Sequence, residues 1–150
     1  MILISWLIFQ LPKPKTEIPM LYHTMIGSND IQRSKRFYNA VLPAVFGAPE
    51  AGENVNATGQ MRLFYAHEAS IFMITEPING EPATVANGAT IGFACSSPEQ
   101  VKEFHDVAVA NGATSVEDPP GVRSGDMGEM HLCYFLDPDG HKICGLYQSR

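Results

Sequence analysis

The sequence predicts an α+β fold built from two copies of one supersecondary unit. Two observations carry that prediction. Residues 24–41 read as an apolar strand, a polar turn and an amphipathic helix, and residues 91–108 repeat the pattern 67 positions later. Lys35 and Phe37 of the first copy align with Lys102 and Phe104 of the second. Each copy then runs into short strands with turn-forming residues between them, so helices alternate with antiparallel hairpins rather than with single parallel strands. One unit of this size cannot bury its own sheet face, and two must pack together, leaving a cleft between them.

The elements follow in order. Residues 20–76 form the first unit. A strand is predicted over 21–28, and Ser28, Asn29 and Asp30 offer capping oxygens for the helix after it. Ile31, Ser34, Tyr38, Val41 and Val45 recur at helical spacing, with Phe37 and Leu42 widening the buried face. Pro43 predicts a break or kink before Gly47. Residues 54–59 read as a polar turn, followed by strands over 61–66 and 70–75 joined through His67, Glu68 and Ala69. Residues 77–88, rich in Pro, Gly and Asn, form a connector.

The second unit covers 89–150. After a strand over 89–96, Ser97 as N-cap, Pro98 at the first helical position and Gln100 completing a capping box open a helix. Val101, Phe104, His105 and Ala108 form its predicted buried stripe, and Asn111-Gly112 ends it. Residues 117–130 hold three glycines and two prolines and read as a long loop, a candidate lid over the cleft. A hairpin closes the chain, with strands over 132–136 and 142–147 and a turn at Asp137-Pro138-Asp139-Gly140.

Composition excludes several functions. A net charge of −6 supplies no basic stripe for nucleic acid. Three cysteines without regular spacing are neither a disulfide framework nor a zinc motif and fit a reduced, cytoplasmic protein. Residues 1–11 are strongly apolar and are followed by Lys13 and Lys15. That run is shorter than the roughly 20 residues a bilayer span requires, and no small-residue cleavage site follows it. The expectation is that residues 1–19 form an N-terminal extension whose apolar run, Met1 to Leu11, packs against protein, and that no membrane is involved.

The first strand carries Tyr22-His23-Thr24, the helix Arg36-Phe37-Tyr38, and the end Phe135-Leu136-Asp137-Pro138-Asp139-Gly140-His141-Lys142-Ile143. With the strand–helix–hairpin repeat, residues 20–148 resemble the vicinal oxygen chelate superfamily: glyoxalase I, bleomycin-resistance and fosfomycin-resistance proteins, and extradiol dioxygenases. The resemblance implies two βαβββ modules forming a curled mixed sheet around a shared cleft, frequently in a homodimer. Enzymes of that superfamily hold a divalent metal between the sheets, on side chains from the first and last strand of each module. His23 matches the first ligand position. The repeat places Thr90 at the second, Cys144 matches a closing glutamate, and its counterpart in the first module falls near Phe72.

Threonine and phenylalanine do not replace histidine and glutamate, so the expected cofactor is none. A zinc ion on His23 and Cys144 would need Glu76 or His131 to complete it. If His23, Thr90 and Cys144 point inward, alternation sends Met25, Gly92, Ala94 and Leu146 the same way, an apolar lining suited to a modest organic ligand. Arg62 and Arg123 are candidates for an anionic group on it. Cys144 reads as a small buried hydrophobe. The Asp-Pro-Asp-Gly segment reads as a turn without chemistry, and His67, His105 and His141 as structural or exposed.

Two readings follow. One is a small-molecule binding protein without metal. The alternative is a lyase, isomerase or transferase of glyoxalase I type, using Zn, Ni, Mn or Fe bound through His23. A dioxygenase fits less well, because its iron requires two histidines and a carboxylate.

Overall fold

The computed structural model describes residues 20–149. The apolar extension expected to pack against protein lies outside the described residues. The first module comprises β1 (Thr24–Gly27), α1 (Ile31–Phe46), β2 (Gly52–Val55), β3 (Met61–His67) and β4 (Ser70–Thr75). Its sheet runs β1-β4-β3-β2, with β1 parallel to β4 and the other pairs antiparallel. The second module holds β5 (Ile91–Ala94), α2 (Pro98–Ala110), β6 (Thr114–Ser115), β7 (Gly121–Gly125), β8 (Gly128–Leu136) and β9 (Lys142–Tyr147). Here the order is β5-β9-β8-β6, β5 lies parallel to β9, and β7 also pairs with β8. The α+β reading with two modules holds, as two separate mixed sheets: no described strand pairs across from one to the other.

The helices form where local chemistry directs them. Asp30 Oδ1 accepts the Arg33 N–H at 2.9 Å, and Gly47, at φ +66°, closes α1 by donating to the Pro43 carbonyl. The expected break at Pro43 does not occur: the helix continues to Phe46. Proline removes one hydrogen bond there, but Val41, Leu42 and Val45 around it are each 6 % exposed or less, and that burial holds the last turn. In α2 the Ser97 hydroxyl accepts the Gln100 N–H. Gln100 returns its own oxygen to Ser96 rather than Ser97, and its Nε2 donates to the Val45 carbonyl, tying α2 to the end of α1.

Three further expectations are corrected. β2, which the βαβββ pattern implies but the residue-by-residue reading left as part of a polar turn, is exposed along its whole length, so it carries no alternation to read. Residues 117–130 are not a lid: Gly121–Gly125 pairs with Gly128–Leu132 as a hairpin, its glycines lying at the ends of β7 and at the turn. His105 stands at the rim of the core stripe, where its ring bonds Ser115 Oγ at 2.8 Å and Asp106 Oδ1 at 3.1 Å.

Both helices and one face of each sheet share a single core. Aromatic contacts cross the module boundary: Phe37 to Phe135 at 6.4 Å between ring centres, Phe46 to Phe104 at 5.0 Å, and Phe72 to Phe93 at 5.3 Å. Such edge-on pairs add roughly 0.5–1.5 kcal/mol each beyond area burial.

The Asp137–Gly140 turn adds a polar latch. Asp139 accepts from the Ser28 and Ser34 hydroxyls at 2.8 Å each, and from the Asn29 N–H and Arg33 Nη2 at 3.0 Å. Asp137 accepts from the Tyr38 hydroxyl at 2.7 Å, and His141 Nε2 lies 2.6 Å from the Gly27 carbonyl oxygen. The segment is a turn, as expected, and its carboxylates are buried where they join the modules. No helix among the described residues is long and apolar enough to cross a membrane.

Candidate functional site

Strand alternation divides each sheet into a helix-covered face and an open face. In the first sheet Ile26, Leu63, Tyr65, Phe72 and Ile74 are buried under the helices. His23, Met25, Arg62, Phe64, Ile71 and Met73 therefore belong to the open face. In the second, Ile143, Phe135 and Cys133 lie in the core, which leaves Thr90, Gly92, Ala94, Cys144, Leu146, Leu132 and Tyr134 on the other side.

Register makes the two open faces equivalent. Met25 pairs with Met73 in the parallel β1–β4 ladder, and Gly92 pairs with Cys144 in the parallel β5–β9 ladder. The first-module counterpart of Cys144 is thus Met73, one residue beyond the expected Phe72. Phe72 itself points under α1 and is 7 % exposed. One position of slip exchanges the faces of a strand, and an apolar run such as 71–74 gives the sequence no alternation with which to fix it.

A cleft of about 310 Å³ opens between the modules. Its first-module wall includes Thr24, Phe46, Tyr65, Ile71 and Phe72, its second-module wall is β5 from Ile91 to Ala94, and His67, Glu68 and Ser70 supply polar groups. The size falls within the range of small-ligand sites.

The residues expected in the site divide. Gly92 lines this cleft, beside Ala94; His23 adjoins Thr24 but is itself exposed. Met25 lines a second depression with Ile91 and His141, and Thr90 a third near Lys142. Cys144, 5 % exposed, and Leu146 continue the open face beyond the cleft. Arg123 lies on β7 and donates to the carbonyls of Asp118, Pro119 and Val122. Arg62 stands toward the far end of β3. His67, like Phe46, Tyr65 and Glu68, lines the cleft without having been selected from the sequence: a histidine in a hairpin turn looks the same whether or not a second module faces it.

Comparison with known proteins decides the family. A sequence model of the Glyoxalase/Bleomycin resistance protein/Dioxygenase superfamily matches residues 21–144. The chain belongs to that superfamily. A glyoxalase/bleomycin resistance protein from Albidiferax ferrireducens is 47 % identical, with a TM-score of 0.78 over 87 % of this chain and 100 % of that one. A fosfomycin resistance protein, FosX, from Listeria monocytogenes shares the fold at 20 % identity, TM-score 0.61, over 89 % and 94 % of the two chains. A hypothetical protein from S. aureus does so at 18 %, TM-score 0.62, over 87 % and 94 %. No curated protein matches.

The resemblance implies a metal between the sheets in the superfamily's enzymes, so the donor set matters. The equivalent positions here carry His23 and Met73 in one module and Thr90 and Cys144 in the other. That set offers an imidazole, a thioether, a hydroxyl and a thiol, with no carboxylate. Burial pushes the Cys144 thiol up, away from the thiolate a metal requires. Among the described residues, no three His, Cys, Asp or Glu side chains come together as a metal-holding group. Hard ions want oxygen ligands and zinc wants four donors, and this set fits neither.

Proposed function

We propose that this superfamily member binds a small organic molecule in the cleft between its modules, without the divalent metal its catalytic relatives use. The observation that carries the reading is the pairing of Met25 with Met73 and of Gly92 with Cys144: the register points that would supply glutamates supply apolar or thiol side chains instead. The cleft supports it chemically. Phe46, Phe72, Phe93, Ile71 and Ile91 offer an apolar floor, and His67, Glu68 and Ser70 offer hydrogen bonds at the rim to orient a ligand. His23 acts as a polar contact beside the cleft.

A homodimer belongs to the same proposal. Met20, Leu21 and Tyr22 lead into β1 with 95, 69 and 73 % exposure, an apolar run that a second copy would remove from water. A reducing, cytoplasmic setting fits three free buried thiols.

Gly92 provides the test. A Cβ built there meets nothing within 4 Å, so Gly92→Leu adds bulk at the cleft wall without a clash. In a fragment screen followed by protein NMR, binders of apolar body and one polar group should shift the amides of Ile71, Gly92 and Ala94. Gly92→Leu should weaken them at least about tenfold, a change of roughly 1.4 kcal/mol, with the fold intact. Binders that ignore the substitution, or a screen in which nothing touches these amides, would overturn the proposal.

A further inference from the structure

The cleft between the modules carries charge of one sign. Among the described residues that line it, Glu68 is the one carboxylate, and no lysine or arginine joins it. The two arginines that the sequence offered for an anionic group stand elsewhere. Arg62 is absent from the cleft lining, and Arg123 donates to the carbonyls of Asp118, Pro119 and Val122. Glu68 itself belongs to no ion pair among the described residues.

A tight turn sets the place of that carboxylate. His67 and Ser70 are partners at the end of the β3–β4 ladder, so Glu68 and Ala69 alone make the loop. Glu68 takes φ +51°, a left-handed conformation that in two-residue hairpin loops favours glycine or asparagine. A glutamate is held there against its backbone preference, exposed at the edge of the cleft beside His67 and Ser70.

Aromatic rings line the same space. Phe46 from α1 and Phe93 from β5 stack across the module boundary, 28° apart in plane and 5.8 Å between ring centres. Phe72 meets Phe93 edge-on at 5.3 Å. Phe72 is buried, whereas Phe46 and Phe93 are partly open and are the rings a ligand reaches. Such rings accept a flat apolar body, and their faces attract a cation.

We infer that the cleft selects small organic cations, amines carrying a flat aromatic body. The inference rests on the cleft being the ligand site. The body packs on Phe46 and Phe93, and the ammonium pairs with Glu68. A carboxylate ligand would meet like charge at that edge and no cation to pair with. The net charge of −6 acts in the same direction, drawing cations toward the protein.

The test compares three probes of one shape, 2-phenylethylamine, 2-phenylethanol and 3-phenylpropionate, titrated into the full-length protein at pH 8, where a free imidazole is neutral. Protein NMR follows the amides of Ile71, Gly92 and Ala94. The amine should bind at least about tenfold more tightly than the alcohol, and the carboxylate most weakly. High salt should narrow the difference between amine and alcohol. Glu68→Gln, which keeps the shape and removes the charge, should bring the amine to the affinity of the alcohol and leave the alcohol and the melting temperature unchanged. Equal binding of amine and alcohol to the wild type would overturn this inference and leave the small-molecule reading standing. So would a preference for the carboxylate, or an amine preference that survives in Glu68→Gln. Cleft amides that respond to none of the three would overturn both.

Discussion

Gly145 has no room for a side chain. A Cβ there would lie 2.8 Å from Cys133 Sγ and 2.9 Å from Phe104 Cδ1, both in the core between β8, β9 and α2. Gly145→Ala should destabilise by about 2 kcal/mol through overpacking, a fall in Tm of roughly 4–8 °C at this chain length. An unchanged Tm would mean the core is looser than drawn. The same core explains the inert thiols: burial pushes Cys133 up to about 12, and Cys95, just past β5, up to about 11. Asp139 gives a test in pH. Burial alone would raise its carboxyl, but the Asn29 N–H, the Ser28 and Ser34 hydroxyls and the Arg33 charge outweigh that and hold it below the usual range. Its contribution is therefore present above the unfolded value of about 3.9 and is lost as pH falls through the lower folded value. Asp137 opposes it: burial raises its carboxyl despite the Tyr38 bond, so acid relieves a cost there. Asp139→Asn should lower stability by about 2 kcal/mol at pH 7 and flatten the loss that sets in below about pH 4 in urea unfolding; curves parallel to wild type would contradict this. Residue types alone identified the Asp-Pro-Asp-Gly turn, yet not its partners, since Ser28 and Asp139 are 111 positions apart.

At the level of elements, both helices, three strands of the first module and the closing hairpin were legible because periodicity and caps agree there. β2 and β7 were not. Both are short, and β7 has glycine at each end, so composition says loop while the partner strand supplies the ladder. Hydrogen exchange distinguishes the two descriptions. Peptides covering 121–132 should be protected well beyond those covering the 77–88 connector, which forms no strand. Equal, rapid exchange in both would restore the loop. Pro43 shows the opposite error, a local breaker overruled by the docking of Leu42 and Val45.

For the whole molecule, the repeat and the superfamily resemblance gave an α+β fold of two modules, and that stands, as two separate mixed sheets rather than one curled sheet. How the modules meet was not legible: the shared core and the Asp139 latch join residues whose individual patterns are those of ordinary helix and turn positions. Of the candidate site the sequence reached only β5: parity sets Gly92 and Ala94 on the open face, whereas the first-module wall uses Tyr65 and Phe72 from the helix-covered face and, from Phe46 to Ser70, depends on packing across the boundary. The central claim is a ligand cleft that works without metal. Its most direct test is metal content by mass spectrometry of protein purified without chelators or a histidine tag, alongside His23→Ala. The account predicts substoichiometric metal in both proteins, and cleft binding of fragments undiminished by EDTA. Near-stoichiometric metal in the wild type, lost in His23→Ala, would contradict it.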